Sequence, residues 1–176
     1  MKDYKDTAER LPAENAMLVH ASAFAADGKG ILIMAPSGVG KTTQTMLWKQ
    51  LLGDRIVIIN DDKPILRLCS GKTMIESSPL CGKEGLRSDA SAELFAVIFL
   101  DGSSDMHKAS IELLSSRSAA ELILKQVYIP EDSEMRIRTI DLINDMFSDI
   151  PMYLLKREKT TECAKLAIET VFGSIE

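Results

Sequence analysis

The chain lacks a basic excess. Its 21 lysines and arginines stand against 26 aspartates and glutamates, a formal net charge of −5. A mildly acidic chain of this kind is not built to neutralise a phosphate backbone, so nucleic acid is not the expected partner. It also lacks long apolar runs. The longest, such as Leu94 to Leu100, falls far short of the roughly 20 residues that a membrane-spanning helix needs. No membrane partner is expected. Cysteine is scarce: Cys69, Cys81 and Cys163 are odd in number and have no metal-ligand spacing. They fit small core or surface positions in a reducing compartment. Met1 to Arg10 is charged and has no apolar core, so no secretion signal is expected, and the location is read as cytoplasmic. There is no internal repeat, low-complexity tract or strong linker. The 176 residues are read as one domain, large enough to bury a core.

What is present falls into short, well-punctuated elements. Residues 1–15 are polar and read as a loose lead-in. Ala16 to Ala25 alternates and reads as a strand. Asp27-Gly28-Lys29-Gly30 is a hairpin turn, and Ile31 to Met34 is a short, wholly apolar strand. Thr42 to Leu52 reads as a helix with Leu47 and Leu51 on one face and Gly53 as its stop. Ile56 to Asn60 reads as a buried strand. Ile65 to Leu68 and Thr73 to Glu76 flank Ser70-Gly71-Lys72, a second hairpin. Pro79 to Arg87 is a loop. Leu94 to Leu100 is a buried strand closed by Asp101-Gly102, and Ala109 to Leu114 a short one. Ser118-Ala119-Ala120-Glu121 reads as a capping box opening a helix that has ended by Pro130. Glu134 to Phe147 is amphipathic, with Met135, Thr139, Leu142 and Met146 on one face. Met152 to Leu155 is a last strand and Thr161 to Phe172 a last helix.

Two stretches carry chemistry. Ala35-Pro36-Ser37-Gly38-Val39-Gly40-Lys41-Thr42 has a small residue, four spacers and Gly-Lys-Thr, the pattern of a phosphate-binding P-loop. Glycines let backbone N–H groups converge on phosphate oxygens, and the following helix turns its positive end toward them. Lys41 suits the β- and γ-phosphates, and the Thr42 hydroxyl suits Mg²⁺. A chance glycine-rich turn is the bland alternative. The strand before and the helix after favour a nucleotide site formed by Pro36, Ser37, Gly38, Val39, Gly40, Lys41, Thr42 and Thr43. No base-reading motif separates ATP from GTP. The second stretch, Asp61-Asp62, ends a run of β-branched residues and offers one carboxylate for a proton and one for a metal. Side chains alternate along a strand, so both reach one site only if the strand stops at Asp61. A solvated turn is the competing account.

His20 lies on the strand that the hairpin folds back toward the loop. A lone strand histidine is commonly structural, but this one is carried toward the phosphate end. Lys83 and Arg87 are read either as charge-neutralising groups or as ordinary solvated side chains. His107 is read as surface.

A conventional P-loop enzyme places its loop after the first strand of a parallel sheet. Here a hairpin precedes the loop and another follows the aspartates. Val19-His20, Gly28 to Met34, Ala35 to Thr43 and Ile59-Asn60-Asp61-Asp62 together resemble the catalytic domain of HPr kinase/phosphorylase and its relative, ATP-dependent phosphoenolpyruvate carboxykinase. Pro79 to Glu84, the strand Leu94 to Leu100 and the helix from Ser118 are similar to small HPr kinase-like proteins. The resemblance implies an α/β fold with a mixed, largely antiparallel sheet, a P-loop and flanking helices. It implies an ATP- and Mg²⁺-dependent kinase, with Mn²⁺ as an alternative metal, acting on a serine of a protein or peptide. Asp61 would be the base, Thr42 and Asp62 metal ligands, and His20 a neighbour of the γ-phosphate or of a metal. Lys41 and Arg87 would neutralise charge, and a homo-oligomer would be in keeping with the family. The alternatives are a nucleotide-binding regulatory module without catalysis, a carboxykinase, and a conventional parallel P-loop ATPase.

Overall fold

The computed structural model describes residues 2–102, 109–156 and 160–173, with side chains from residue 5 onward. Nine strands form one sheet: β1 (Ala16–Leu18), β2 (Ala21–Ala26), β3 (Lys29–Met34), β4 (Ile56–Asn60), β5 (Ile65–Cys69), β6 (Lys72–Glu76), β7 (Ala92–Asp101), β8 (Ser110–Leu113) and β9 (Met152–Lys156). Among the described residues five α-helices accompany it: α1 (Lys2–Arg10), α2 (Lys41–Leu52), α3 (Ser116–Leu124), α4 (Ser133–Phe147) and α5 (Thr161–Phe172). The main strand order is β1-β5-β6-β7-β3-β2-β4, and β9 joins β7 to β8. Among the described residues, β3 with β7 and β7 with β9 run parallel, and the other strand pairings are antiparallel. β3 therefore has an antiparallel neighbour, β2, on one side. That is not the arrangement of a conventional parallel P-loop ATPase.

The central strand explains the layering. Ile31 to Met34 are fully buried, and their side chains alternate between the two faces. Ile31 and Ile33 join Trp48 and Leu52 of α2 and Cys163, Ala164 and Ala167 of α5. Leu32 and Met34 join Ala119 and Ile123 of α3 and Leu142 and Met146 of α4. Burial of a large aliphatic side chain of this kind contributes about 1.5–3 kcal/mol. The hairpin between β2 and β3 turns on Asp27 (φ 50°) and Gly28 (φ 79°), the doubly left-handed pair that suits a two-residue hairpin. Arg55 grips the Asp27 carboxylate with two nitrogens, at 3.0 and 2.6 Å.

Several expectations are corrected. Residues 2–14 are no loose lead-in: α1 and a short 3₁₀ turn bury Ala8 and Leu11 against Ala16 and Leu18. The strand expected over Ala16 to Ala25 is broken at Val19 and His20, where the chain instead meets Gln126 and Val127. The buried face of α2 is Gln44, Thr45, Trp48 and Leu52, while Leu51 is 39% exposed. Trp48, packed between Phe24 and Phe172, takes the centre of that face; Leu47 is partly buried against the same core and Leu51 is turned outward. β4 is an edge strand, so Val57 is 45% exposed and the expected burial is partial. α3 is capped by Ser115, three residues before Ser118, because the Ser115 hydroxyl reaches the Ser118 N–H. The helix from Thr161 to Phe172 and both hairpins fall where expected. His107 and its neighbours in 103–108 lie outside the described residues.

Candidate functional site

The loop from Ala35 to Gly40 links buried β3 to α2, so it is anchored at both ends. Gly38 and Gly40 have φ of 81° and 107°. A Cβ at Gly38 would meet nothing within 4 Å, so glycine is required there by conformation, not by space. Gly40 caps α2 without a side chain, leaving N–H groups of the first turn free of side-chain partners. Behind the loop, the Thr45 and Ser22 hydroxyls meet at 2.8 Å and tie α2 to β2. Ala35 is 2% exposed, and its methyl packs into the core shared by α2 and α5.

Lys41 is 7% exposed. Its ammonium donates to the Ala35 carbonyl at 3.0 Å and stands 2.8 Å from His20 Nε2. Burial pushes it down to about 8; the charge of Asp62 opposes that shift and Lys63 adds to it. His20 is held by the break between β1 and β2, where its N–H donates to the Gln126 carbonyl at 2.7 Å. Its imidazole is shifted down by burial first, then by Lys41 and Lys63, with Asp62 opposing. A neutral ring fits the geometry: Nε2 is then free to accept from Lys41.

Asn60, wholly buried, organises the end of β4. Its side-chain oxygen accepts the N–H groups of Asp62 (3.0 Å) and Lys63 (2.8 Å), and its amide donates to the carbonyls of Ser78 and Leu80. The strand stops there, so the two aspartates need not point opposite ways, and both line one cavity. They differ in surroundings. Asp61 is 2% exposed and accepts the Gly82 N–H at 2.6 Å and the Leu86 N–H at 3.3 Å. A Cβ at Gly82 would come within 3.1 Å of that carboxylate, so glycine permits the approach. Asp62 is half-buried, with Oδ1 3.2 Å from His20 Nε2 and Oδ2 2.8 Å from Lys63 Nζ.

The cavity these groups share measures about 1070 Å³. Of the residues singled out in the sequence, His20, Ser37, Gly38, Gly40, Lys41, Thr42, Thr43, Asp61, Asp62 and Lys83 line it. Pro36 is exposed beside it, and Val39 turns toward the core of α2 and α5. Arg87 is exposed and does not line the cavity; its backbone bridges Asn60 instead. Lys63 and the organising role of Asn60 are not apparent from the sequence reading. Asn60 carries a usable signal, since an asparagine opening a turn commonly bonds N–H groups two and three residues on. Met46, Cys81, Gly82 and Glu84 also line the cavity, and nothing local marks them.

No helix among the described residues is long and apolar enough to cross a membrane. Chemically, the site offers a cationic group beside a glycine-containing loop at a helix N-terminus, a hydroxyl, and two carboxylates in different surroundings. No curated protein matches the chain. Among solved structures, an HPr(Ser) kinase/phosphatase from Coxiella burnetii shares its fold, with a TM-score of 0.50 over 87% of this chain and 95% of that one, at 12% identity. A family model described as SynChlorMet cassette protein ScmC matches residues 5–172.

Proposed function

The chain belongs to the ScmC family, and from that premise and the fold shared with an HPr(Ser) kinase/phosphatase we propose that it is an ATP- and Mg²⁺-dependent kinase. It transfers the γ-phosphate to a hydroxyl, a serine of a protein or peptide. The supporting observation is the convergence of Ser37, Gly38 and Gly40 of the loop with Lys41, Thr42, His20, Asp61 and Asp62 on one cavity. GTP in place of ATP, and Mn²⁺ in place of Mg²⁺, are compatible with the same residues.

The donor set fits a metal of this kind. The Thr42 hydroxyl and Asp62 carboxylate are hard oxygen donors, and among the described residues no group of three His, Cys, Asp or Glu forms a protein cage. Mg²⁺ uses few protein oxygens, filling its shell with phosphate and water. His20 would suit Mn²⁺ better. When bound, the metal supplies charge neutralisation at the phosphates.

The chain's own residues do the rest. Loop and helix N–H groups hold the phosphates. Lys41 exchanges His20 and the Ala35 carbonyl for phosphate oxygen, and Lys83 adds charge at the rim. The bond from the acceptor oxygen to the γ-phosphorus forms as the bond to the bridging oxygen breaks, leaving ADP, and the hydroxyl proton passes to Asp61. A carboxylate has about four lone-pair positions. Gly82 and Leu86 occupy one each, which leaves room for that proton.

The test is to incubate the chain with γ-labelled ATP and the other products of its cassette, then to locate phosphopeptides by mass spectrometry. Label on a serine supports the kinase. The second reading, a nucleotide-binding regulator without turnover, is favoured by the engagement of Lys41 with His20 and Ala35. Thermal stabilisation by ATP-Mg²⁺ with neither ATP consumption nor transfer would establish it and remove the kinase.

A further inference from the structure

The most concentrated apolar exposure lies on the opposite layer from α2. Among the exposed large hydrophobic side chains, Leu113 (67%), Leu124 (45%), Ile137 (66%) and Ile140 (46%) belong to β8, α3 and α4. Leu113, Leu124 and Ile140 line a cavity of about 350 Å³ between these elements, with Ile143 and Phe147 beneath. Scattered exposed leucines need no explanation, but a grouped set around a groove marks an interface.

Along α4 this groove is flanked by acidic side chains, while the two arginines of that helix are engaged elsewhere: Arg136 donates to the Pro130 and Glu131 carbonyls and Arg138 to the Asn15 side chain. Ile137, Asp141 and Asp145 succeed one another at four-residue spacing, so they form one column beside the apolar stripe. Asp149 comes just after the helix. All three aspartates are exposed, and among the described residues none forms an ion pair. On the other elements the acids are matched: Glu112 faces Lys156 at 3.3 Å and Glu121 faces Arg117 at 3.8 Å.

We propose that this groove docks an amphipathic helix of a partner protein, aliphatic on its inner face and rich in lysine or arginine along the edge over α4. Helix-in-groove recognition needs aliphatic anchors at i, i+3 or i+4, and i+7, and the groove offers an apolar floor for them. The acidic column selects the sign of the partner's flank and speeds its approach. A second copy of the chain would bring the same acidic column, and an anionic lipid surface would be repelled by it. This inference is independent of the nucleotide site.

The probe is a fluorescein-labelled synthetic helix of about 18 residues, leucine on one face and lysine elsewhere. Its binding to the full chain is read by fluorescence polarisation. Controls are a scrambled peptide of the same composition and a leucine–glutamate version. We expect the lysine helix to bind at least about tenfold tighter than either control, and Leu124→Asp with Ile140→Asp to erase the difference. Asp141→Lys with Asp145→Lys, which touches no buried residue, should shift preference toward the glutamate helix. Equal binding of the scrambled peptide, or indifference to the charge-reversed variant, overturns the proposal. So does a dimer in sedimentation that the variants dissolve, which would make the occupant a second copy.

Discussion

Lys41 Nζ stands 2.8 Å from His20 Nε2, so the cation that opens α2 is held by a ring from the break between β1 and β2. Asp62 approaches the same ring nitrogen at 3.2 Å. The three side chains come from three separate segments, and burial among them, with the charges of Asp62 and Lys63, sets how Lys41 titrates.

Burial pushes Lys41 down to about 8. Phosphate favours its charged form, so binding of inorganic phosphate or ATP should be full below pH 8 and weaken as pH rises through that value. Above it, binding should take up protons, measured by calorimetry in buffers of different ionisation enthalpy. The folded pKa lies below the unfolded one, so the free chain should gain stability as pH rises from about 8 toward 10.5. Lys41→Met should remove both effects; a pH profile unchanged in that variant would assign them to another group.

Asp61→Asn should abolish transfer while ATP still binds. The amide also replaces one acceptor oxygen with a donor, so one of the bonds from Gly82 and Leu86 is lost. Hydrogen exchange at one of those two amides should quicken. Retained transfer would remove Asp61 as the base, and unchanged exchange would remove its hold on the loop.

Gly30→Ala should destabilise the fold although Gly30 sits inside a strand and not at the turn itself. Its added Cβ would sit 2.6 Å from the Glu93 carbonyl and 2.7 Å from Ile75 Cδ1, where β3 meets β7. Overpacking of this kind costs about 1–3 kcal/mol. Urea denaturation should show a lower midpoint at unchanged slope.

Trp48→Ala should cost about 3–5 kcal/mol, since the ring is fully buried between Phe24 and Phe172. Because Trp48 is the single tryptophan, native fluorescence reports the packing of α2. Conservative Trp48→Phe should recover most of the stability.

The hairpins, the loop and the last helix are readable in the sequence because their signals are local: turn glycines, apolar alternation and a cap. The site is readable as far as the pairing of the loop with the two aspartates. What stays hidden depends on distant partners. The N–H groups that hold Asp61 lie 21 and 25 residues further along the chain. The inward face of α2 is set by one tryptophan meeting two phenylalanines, not by leucine spacing. Ala35, where the pattern more often has glycine, is explained by its methyl in the α2–α5 core, which adjacent residues do not reveal. Arg87 looks suited to phosphate by charge alone, but its segment lies along the edge of β4.

β7 touches β3 on one side and, on the other, β6 at its start and β9 at its end. Three groups of strands therefore meet on it, and two of those joints are parallel, linking stretches far apart in sequence. The hairpins can form early and by themselves, but the sheet cannot close until β7 has been laid between them. On a ribosome, the strand and helix flanking the loop would emerge well before the strand that fixes their position, and assembly would wait on long-range pairing, the slowest kind.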